Sequence, residues 1–364
     1  MKLTEITSAI EQFAPLALQS DFDNAGLLAG NPAMEVTGAV LCLDVTEEIL
    51  DEALAKGANL VISHHPIVFR GLKSITGKNH VERIVIKAIQ HNIALYAAHT
   101  NLDSVSRGLS YIMAEKLGLQ HIEVLEPRPD SLVQIGVHTP EDHAEAVRQA
   151  MAEAGAGEIG RYDSCAFHSQ GEGTFRALPG AAPFAGKVGE LHREPEIRTT
   201  TVVPKHLASA VVAAVKKVHP YEEPAYDVTP LNLPDRNWGF GSVGNLPEPV
   251  DAAAFLRTVK EAFNVGCVRH SLPHKPKVQR IAMCSGSGDG LLHRAIGCGA
   301  DAYLAGDIKY NSFFDAENRI LLADIGHFES EIGVTSLLYE LLTKKFPTFA
   351  FHKSELSHNP VNYL

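Results

Sequence analysis

The stretch Asn59-Leu60-Val61-Ile62-Ser63-His64-His65-Pro66 indicates the fold of this chain, because a short apolar run ends there in two adjacent histidines. A run of this length and composition is typical of a β-strand that is buried on both faces. In an open α/β sheet, ligands bind at the strand ends and in the loops that follow them. The stretch therefore predicts a mostly parallel sheet with a binding site where His64 and His65 leave it.

Two more apolar runs, Ile93–Ala97 and Ile320–Ala323, also end in imidazole and carboxylate side chains. The candidate site residues that follow the three runs are His64, His65, His99, Asp103, His327 and Glu331. Nitrogen and oxygen ligands of these kinds suit zinc, iron, manganese and related divalent ions. If the strand ends meet, the sequence predicts a site for one or two divalent metal ions.

The adjacent histidines need an explanation, since successive side chains of a regular strand point to opposite faces. Pro66 biases His65 towards extended geometry and ends the strand nearby. His64 and His65 can then line one cavity, most easily by serving two neighbouring ions. A turn with two solvated histidines is the alternative.

His327 and Glu331 are four residues apart, which places them on one face of a helix, one turn apart. Asp324-Ile325-Gly326 suits the turn from a strand into that helix. Glu329 should point elsewhere. The spacing is also common by chance, so it indicates a metal site only together with the other residues.

Several further polar residues follow apolar or glycine-rich segments. Asp103 is a candidate bridging or terminal ligand, or a turn former. His99 is a candidate for contact with substrate or with a ligand, although its spacing from Asp103 proves nothing if the segment is a loop. The remaining candidates for supporting or substrate contacts, each of which also suits a surface loop, are Asp23, Asn24, Asp307 and Lys309.

Two glycine patterns resemble nucleotide-binding motifs. Gly239–Gly244 matches GxGxxG, but prolines follow instead of a helix, so we reject a dinucleotide fingerprint. Gly286–Gly290 lies between a predicted strand, Gln279–Met283, and a predicted helix, Leu291–Ile296; a tight packing turn is favoured over an anion site. There is no GxSxG elbow, P-loop or HExxH motif.

The pattern of elements predicts three segments. Residues 1–125 alternate strands and helices in a βαβ rhythm. Residues 126–231 follow the order β-α-β-β-α-β of a ferredoxin-like α+β unit, with strands predicted at Leu132–His138, Thr174–Leu178, Ile197–Val203 and 225–231. Residues 232–364 return to the first pattern. We therefore predict an α/β domain built from two flanking segments and interrupted by an insert.

Charge and cysteine content narrow the possible partners. The net charge of −11 argues against non-specific nucleic-acid binding, and a phosphorylated ligand would need a local positive charge, which metal ions would supply. The five cysteines are scattered without a CxxC pair, which favours a reducing, cytoplasmic setting. No apolar segment approaches the length of a membrane span.

Taken together, four segments resemble the NIF3-like family, also labelled the GTP cyclohydrolase 1 type 2 homologue family. They are Ser63–Pro66, Thr100–Asp103, Gly306–Tyr310 and Gly326–Glu331. In that family the matching residues hold a dinuclear metal centre. The resemblance therefore implies two divalent ions per subunit, bound by His64, His65, Asp103, His327 and Glu331.

The resemblance has further implications for architecture. Longer members of the family carry a PII/CutA-like domain, and His219–Pro224 looks like a segment of CutA proteins. Family members are similar in assembling as ring-like homohexamers. The sequence thus predicts a NIF3-like α/β domain with a PII/CutA-like insert and a homohexamer.

The predicted function is that of a dinuclear metal-dependent hydrolase acting on a nucleotide or phosphoester. Glu331 would bridge the ions, with His65 and Asp103 on one ion and His64 and His327 on the other. His99 or Asp23 would carry protons or orient a small-molecule substrate. The alternatives are a non-catalytic metal-handling or nucleotide-sensing ring and a scaffold braced by metals.

Overall fold

The computed structural model describes residues 1–364 and divides them into two units. One unit joins Met1–Pro127 to Arg236–Leu364, and the other consists of Arg128–Asp235. The sequence-based bounds of the insert, 126 and 231, lie within a few residues of these. None of the helices is long and apolar enough to cross a bilayer.

The N-terminal segment of the first unit alternates strands and helices. Its elements are α1 (Leu3–Phe13), β1 (Gly26–Ala29), β2 (Ala39–Cys42), α2 (Glu47–Ala55), β3 (Leu60–Ser63), α3 (His80–Gln90), β4 (Ala94–Ala97), α4 (Thr100–Asp103), α5 (Leu109–Lys116) and β5 (Gln120–Arg128). Side chains cap the helices that cross between parallel strands: Thr46 accepts from the amide of Ile49, and Asn79 from that of Glu82. Gly118, at φ +71°, allows the chain to turn after α5.

The C-terminal segment of the first unit has the same rhythm. The labels β6–β9, α6 and α7 belong to the insert, so the numbering of this segment starts at β10 and α8. Its elements are β10 (Asp235–Asp251), α8 (Ala252–Ala262), β11 (Arg269–His270), β12 (Lys277–Ser287), α9 (Leu292–Gly297), β13 (Ala302–Gly306), α10 (Ser312–Asp315), β14 (Leu321–Asp324), α11 (His327–Glu331), α12 (Val334–Lys345) and β15 (Phe351–Lys353). The six elements of the insert are β6 (Leu132–Pro140), α6 (Ala144–Glu153), β7 (Phe167–Arg176), β8 (Leu191–Pro204), α7 (Ala208–Val218) and β9 (Tyr226–Leu231).

The first unit contains two sheets. One has the strand order β1-β4-β3-β2-β15, in which β4, β3, β2 and β15 are parallel and β1 is antiparallel at the edge. The other has the order β11-β14-β13-β12-β10-β5, with β12, β13 and β14 parallel. Each sheet therefore has a parallel centre whose carboxyl ends lie at one edge.

Both faces of the central strands are buried, as the apolar runs predict. Along β3, Leu60 and Ile62 belong to the core that includes α1 and α12, whereas Val61 belongs to the core that includes α2 and α3. The alternation follows from the two-residue period of a strand. Helices cover both faces, which is the usual setting of a parallel sheet.

The insert has the ferredoxin-like fold expected from its element order. Its four strands are antiparallel in the order β7-β8-β6-β9. It has a core of its own, centred on Ile135, Val147, Val203 and Val211. The prediction of an α/β domain with a ferredoxin-like α+β insert is confirmed.

Some sequence-based bounds were wrong. The strand predicted at Thr174–Leu178 runs from Phe167 to Arg176, because its side chains are mostly exposed and give no apolar signal. Strands β1, β5 and β10 were missed. The GxGxxG stretch lies inside β10, which pairs antiparallel with β12, so the rejection of a dinucleotide fingerprint is confirmed.

Candidate metal centre

The centre forms where the carboxyl ends of strands from both sheets of the first unit meet. His64 and His65 follow β3, and Asp103 ends α4, the helical turn after β4. His327 and Glu331 begin and end α11, which follows β14. The prediction that His327 and Glu331 share one face of a helix is confirmed.

Glu331 lies at the middle of this arrangement. Its Oε2 is 2.9 Å from His65 Nε2 and 2.9 Å from His327 Nε2. Its Oε1 is 3.7 Å from His64 Nε2. One carboxylate therefore presents an oxygen to each of two groups of side chains, and Glu331 is only 3% exposed.

The two groups are defined by atoms that all lie within 4.8 Å of one another. They are His64 with Asp103 and Glu331, and His65 with His327 and Glu331. A third group that meets the same distance criterion, without Glu331, consists of His64, His65 and His99. In the first group, His64 Nε2 is 3.7 Å from Asp103 Oδ1. In the second, the Nε2 atoms of His65 and His327 are 3.4 Å apart.

The structure groups the side chains differently from the predicted division of ligands between two ions. That division paired His65 with Asp103 and His64 with His327, whereas the structure groups the histidines the other way. The reason is that β3 places the His64 ring, which is fully buried, towards the turn that carries Asp103. His65 points outwards, to α11.

Each of the four imidazoles at the centre is held through its Nδ1 atom. His64 Nδ1 is 2.7 Å from the carbonyl oxygen of Ala98. The other Nδ1 atoms contact carboxylates: His65 with Asp44 at 2.8 Å, His327 with Asp307 at 2.8 Å, and His99 with Asp23 at 2.7 Å. Partners of this kind fix the tautomer and the ring orientation of metal-binding histidines.

The histidine tautomers allow a test of whether a metal ion fits these residues. A carbonyl oxygen only accepts, so His64 Nδ1 donates to Ala98 and the neutral ring carries its lone pair on Nε2. This Nε2 is buried and has no hydrogen-bond partner. A buried acceptor of this kind is costly unless satisfied. A cation between His64, Asp103 and Glu331 would satisfy it, so the donor set fits a divalent metal.

Neighbouring carboxylates raise the pKa values of the two less buried ligand histidines, His65 and His327. Burial lowers the pKa of His65, but the hydrogen bonds that its ring donates to Asp44 and Glu331 outweigh it and raise the pKa to about 10. The bond to Glu331 is the largest cause that raises the pKa of His327 to about 9. The same carboxylates that raise these pKa values would also stabilise a cation bound in place of the protons.

The pKa values of two carboxyl groups at the centre, Asp103 and Glu331, are shifted as well. Burial raises the pKa of Asp103, an effect that Glu331 reinforces and His64 opposes. Burial acts in the same direction on Glu331, but His64, His327 and His65 outweigh it and hold the pKa of Glu331 well below its usual range.

A glycine turn makes room for the central carboxylate. Gly286 has φ +60°, and a Cβ there would lie 2.1 Å from Glu331 Oε1. Its amide donates to Ser330 Oγ at 2.9 Å, and the neighbouring Ser285 Oγ donates to Asp103 Oδ1 at 3.2 Å. The Gly286–Gly290 stretch is therefore the packing turn that the sequence favours.

His99 adds a fourth imidazole, whose ring centroid is 5.2 Å from that of His64 and 5.5 Å from that of His65. The segment after it is a helical turn and not a loop, so the four-residue spacing to Asp103 is structural: the Asp103 amide donates to the His99 carbonyl oxygen at 3.1 Å. Burial raises the pKa of Asp23, but bonds from His99 and Thr100 outweigh it and lower the pKa to about 2.

Other sequence candidates lie in different contacts. Lys309 is 3.9 Å from Asp289, and Asn24 donates to the carbonyl oxygen of Val68 at 2.6 Å. Glu329 turns away from the centre, as expected, and accepts from Asn359 at 3.0 Å. Asp44 was missed, although it follows the apolar strand β2 just as the histidines follow β3.

A cavity of about 500 Å³ opens beside the second group of ligands. His65, His327 and their partners Asp44 and Asp307 line it. Arg269 and the C-terminal Asn359–Val361 segment with Tyr363 form the other walls. Its volume is within the range of small-molecule sites, about 300–1,000 Å³.

These observations define an α/β protein with a ferredoxin-like insert and a histidine–carboxylate cluster able to hold metal ions. The chain belongs to the Duf34/NIF3 (NGG1p interacting factor 3) family, whose model matches residues 1–360.

Relatives match over nearly the whole chain. The GTP cyclohydrolase 1 type 2 homolog of Bacillus subtilis is 39% identical over 366 residues, which cover 99% of this chain and 98% of the relative. The crystal structure of a Bacillus cereus protein related to NIF3 matches with a TM-score of 0.87 at 36% identity and covers 100% and 99% of the two chains. A Staphylococcus aureus structure matches with a TM-score of 0.79 at 28% identity and the same coverage.

Proposed function

We propose that this protein is a metal-dependent hydrolase with a dinuclear divalent-metal centre, acting on a nucleotide or another phosphoester-type substrate. The observation that carries the proposal is the position of Glu331, with Oε2 at 2.9 Å from His65 and His327 and Oε1 facing His64. One carboxylate shared by two ligand groups is the arrangement that a two-ion site needs.

The side chains have distinct tasks in this proposal. His64 and Asp103 would hold one ion and His65 and His327 the other, with Glu331 shared between the two groups. Two divalent ions bound there would lower the pKa of water and stabilise charge on the attacked and leaving oxygens. Histidine and carboxylate ligands accept zinc, iron and manganese.

His99 is the proposed proton-carrying group next to the ligands. Its Nδ1 bond to Asp23 orients the ring and leaves Nε2 for a substrate atom or a water. The ring stands edge-on to His64 and His65. Asp23 is the positioning residue for His99, and it is itself held in place because its Oδ2 accepts from the amide of Thr100 at 3.0 Å.

The substrate class follows from charge. The chain carries a net charge of −11, so an anionic substrate needs local positive charge, which two divalent ions provide. Relatives carry the name GTP cyclohydrolase 1 type 2 homolog, and GTP is therefore one substrate to test. We also propose that the protein forms a homohexamer. We propose a reducing, cytoplasmic setting as well, in keeping with the five free cysteines.

The test combines metal analysis with a substrate screen on one sample. We expect about two divalent ions per chain and steady hydrolysis of at least one nucleotide or phosphomonoester. Glu331→Gln should abolish turnover while circular dichroism shows an intact fold. Glu340→Gln, an exposed residue of α12, is the matched control. Metal uptake without turnover of any nucleotide or ester would favour a metal-handling or sensing ring.

A further inference from the structure

Two phenylalanines are exposed beside the metal centre. Phe22 is 68% exposed and Phe69 41% exposed, and their ring centroids are 6.3 Å apart. Large apolar side chains that cluster on a surface indicate contact with another molecule more often than scattered ones do. The pair is therefore a candidate for binding part of a ligand.

The pair is linked to the centre through His99. The Phe69 ring stands edge-on to the His99 ring, with centroids 6.2 Å apart. The His99 ring in turn lies 5.2 Å from that of His64. A group bound on Phe69 would thus be one side chain away from the ligands.

Hydrogen bonds fix the two loops that carry the phenylalanines. Asn24 Nδ2 donates to the carbonyl oxygen of Val68 at 2.6 Å, which joins a residue two positions after Phe22 to the residue before Phe69. Asp23, between Phe22 and Asn24, is 2.7 Å from His99 Nδ1. The two loops that carry the aromatic pair are therefore positioned before any ligand binds. This lowers the entropy cost of ordering them on binding.

The loop of Phe69 also carries positive charge. Arg70 and Lys73 are exposed, and neither forms an ion pair. In a chain with a net charge of −11, cations without an ion pair in this loop favour an anionic ligand. Aromatic rings combined with cations are the usual means of binding the base and the phosphate of a nucleotide.

We propose that Phe22 and Phe69 bind the planar heterocyclic ring of an anionic, nucleotide-like ligand at the metal centre. The link to hydrolysis rests on the proposed function, but ring binding itself does not. The continuity of the pair with His99 favours a small ligand over a second copy of this chain, which the test distinguishes.

The test measures binding, without turnover, by titration calorimetry on the metal-loaded full-length protein. The probes are guanosine 5′-monophosphate and ribose 5-phosphate, which differ by the planar ring. Phe69→Ala should weaken binding of the nucleotide about 10-fold, as expected for loss of a stacked base, and should leave ribose 5-phosphate unchanged. Phe22→Ala should act in the same direction. Phe167→Ala, an exposed ring in the insert, is the control.

Several other outcomes would overturn the proposal. Equal weakening of both probes would show a role in charge or folding, and no change would show that the pair does not bind the ring. If the unmodified protein does not bind the nucleotide at all, the proposal that the pair binds the ring fails as well. A changed oligomeric state in light scattering with unchanged affinity would assign the pair to contact between copies. If the nucleotide binds as predicted but no substrate turns over, ring binding stands and the hydrolase proposal fails.

Discussion

His65 Nε2 lies 2.9 Å from Glu331 Oε2, although the two residues are 266 positions apart in the chain. The contact joins a strand end of one sheet to a helix that follows a strand of the other. It exists only when both flanking segments have folded around their cores. The centre is therefore a property of the whole first unit, and we expect metal binding to stabilise that unit.

Gly286→Ala should abolish metal uptake at the centre. A methyl group there would lie 2.1 Å from Glu331 Oε1, and φ +60° is a conformation that alanine rarely adopts. The measurement is metal content by elemental analysis after dialysis. Gly290→Ala is the matched control, because no atom lies within 4 Å of its added methyl group. Normal metal content in Gly286→Ala would contradict the position of Glu331.

Asp44→Ala should weaken metal binding roughly 10–100-fold, the usual effect of removing a carboxylate that orients a ligand histidine. The reason is the 2.8 Å contact between Asp44 Oδ1 and His65 Nδ1. Competition with a metal-sensitive dye measures the affinity. Asp51→Ala removes an exposed carboxylate that pairs with Lys87, and should leave the affinity unchanged. Equal affinities of the two variants would show that Asp44 has no role in orienting His65.

Removal of residues 128–235 should leave the metal centre intact. All five proposed ligands lie in the first unit, and β5 and β10, which flank the cut, are neighbours in one sheet. A short glycine linker between Pro127 and Arg236 should give a folded protein with the metal content of the full chain. Loss of metal from a folded deletion variant would mean that the insert contributes to the centre.

Glu82 should make stability depend on acid pH. Its carboxylate accepts from the amide and hydroxyl of Thr76 and from the amide of Lys78. The Thr76 amide is the first cause that lowers the pKa of Glu82 from 4.5 to about 2. Because the folded-state pKa is the lower one, this stabilisation is present above about pH 4.5 and is lost as the pH falls towards 2.

Urea unfolding of Glu82→Gln and the unmodified protein measures this effect. The difference in free energy of unfolding should be largest above about pH 5 and should shrink at lower pH. A difference that stays constant across this range would show that the charge of Glu82 does not stabilise the loop.

The sequence predicted the parts of the fold that have strong apolar patterns. The strand before His64 and the helical spacing of His327 and Glu331 are visible because burial imposes a regular period. Strand β7 was misplaced because its side chains are mostly exposed, and β10 was missed because its buried part is rich in glycine. Apolar patterns therefore predict the strands that position the centre, but not the strands that are exposed or rich in glycine.

The candidate ligands could be predicted, but their grouping could not. Which ion His64 or His65 serves depends on the direction of each ring beyond the end of β3, and that direction is set by Ala98 and Asp44. Asp44 could have been predicted from the sequence, because it follows a buried strand just as His64 and His65 do. The pairing of Phe22 with Phe69 could not have been predicted, because the sequence of two distant loops does not show that Asn24 joins them.

The most direct measurement is an anomalous difference map from a crystal of the metal-loaded protein. We expect two peaks, one bound by His64 and Asp103, the other by His65 and His327, with Glu331 in contact with both. A single peak, or peaks away from Glu331, would contradict it.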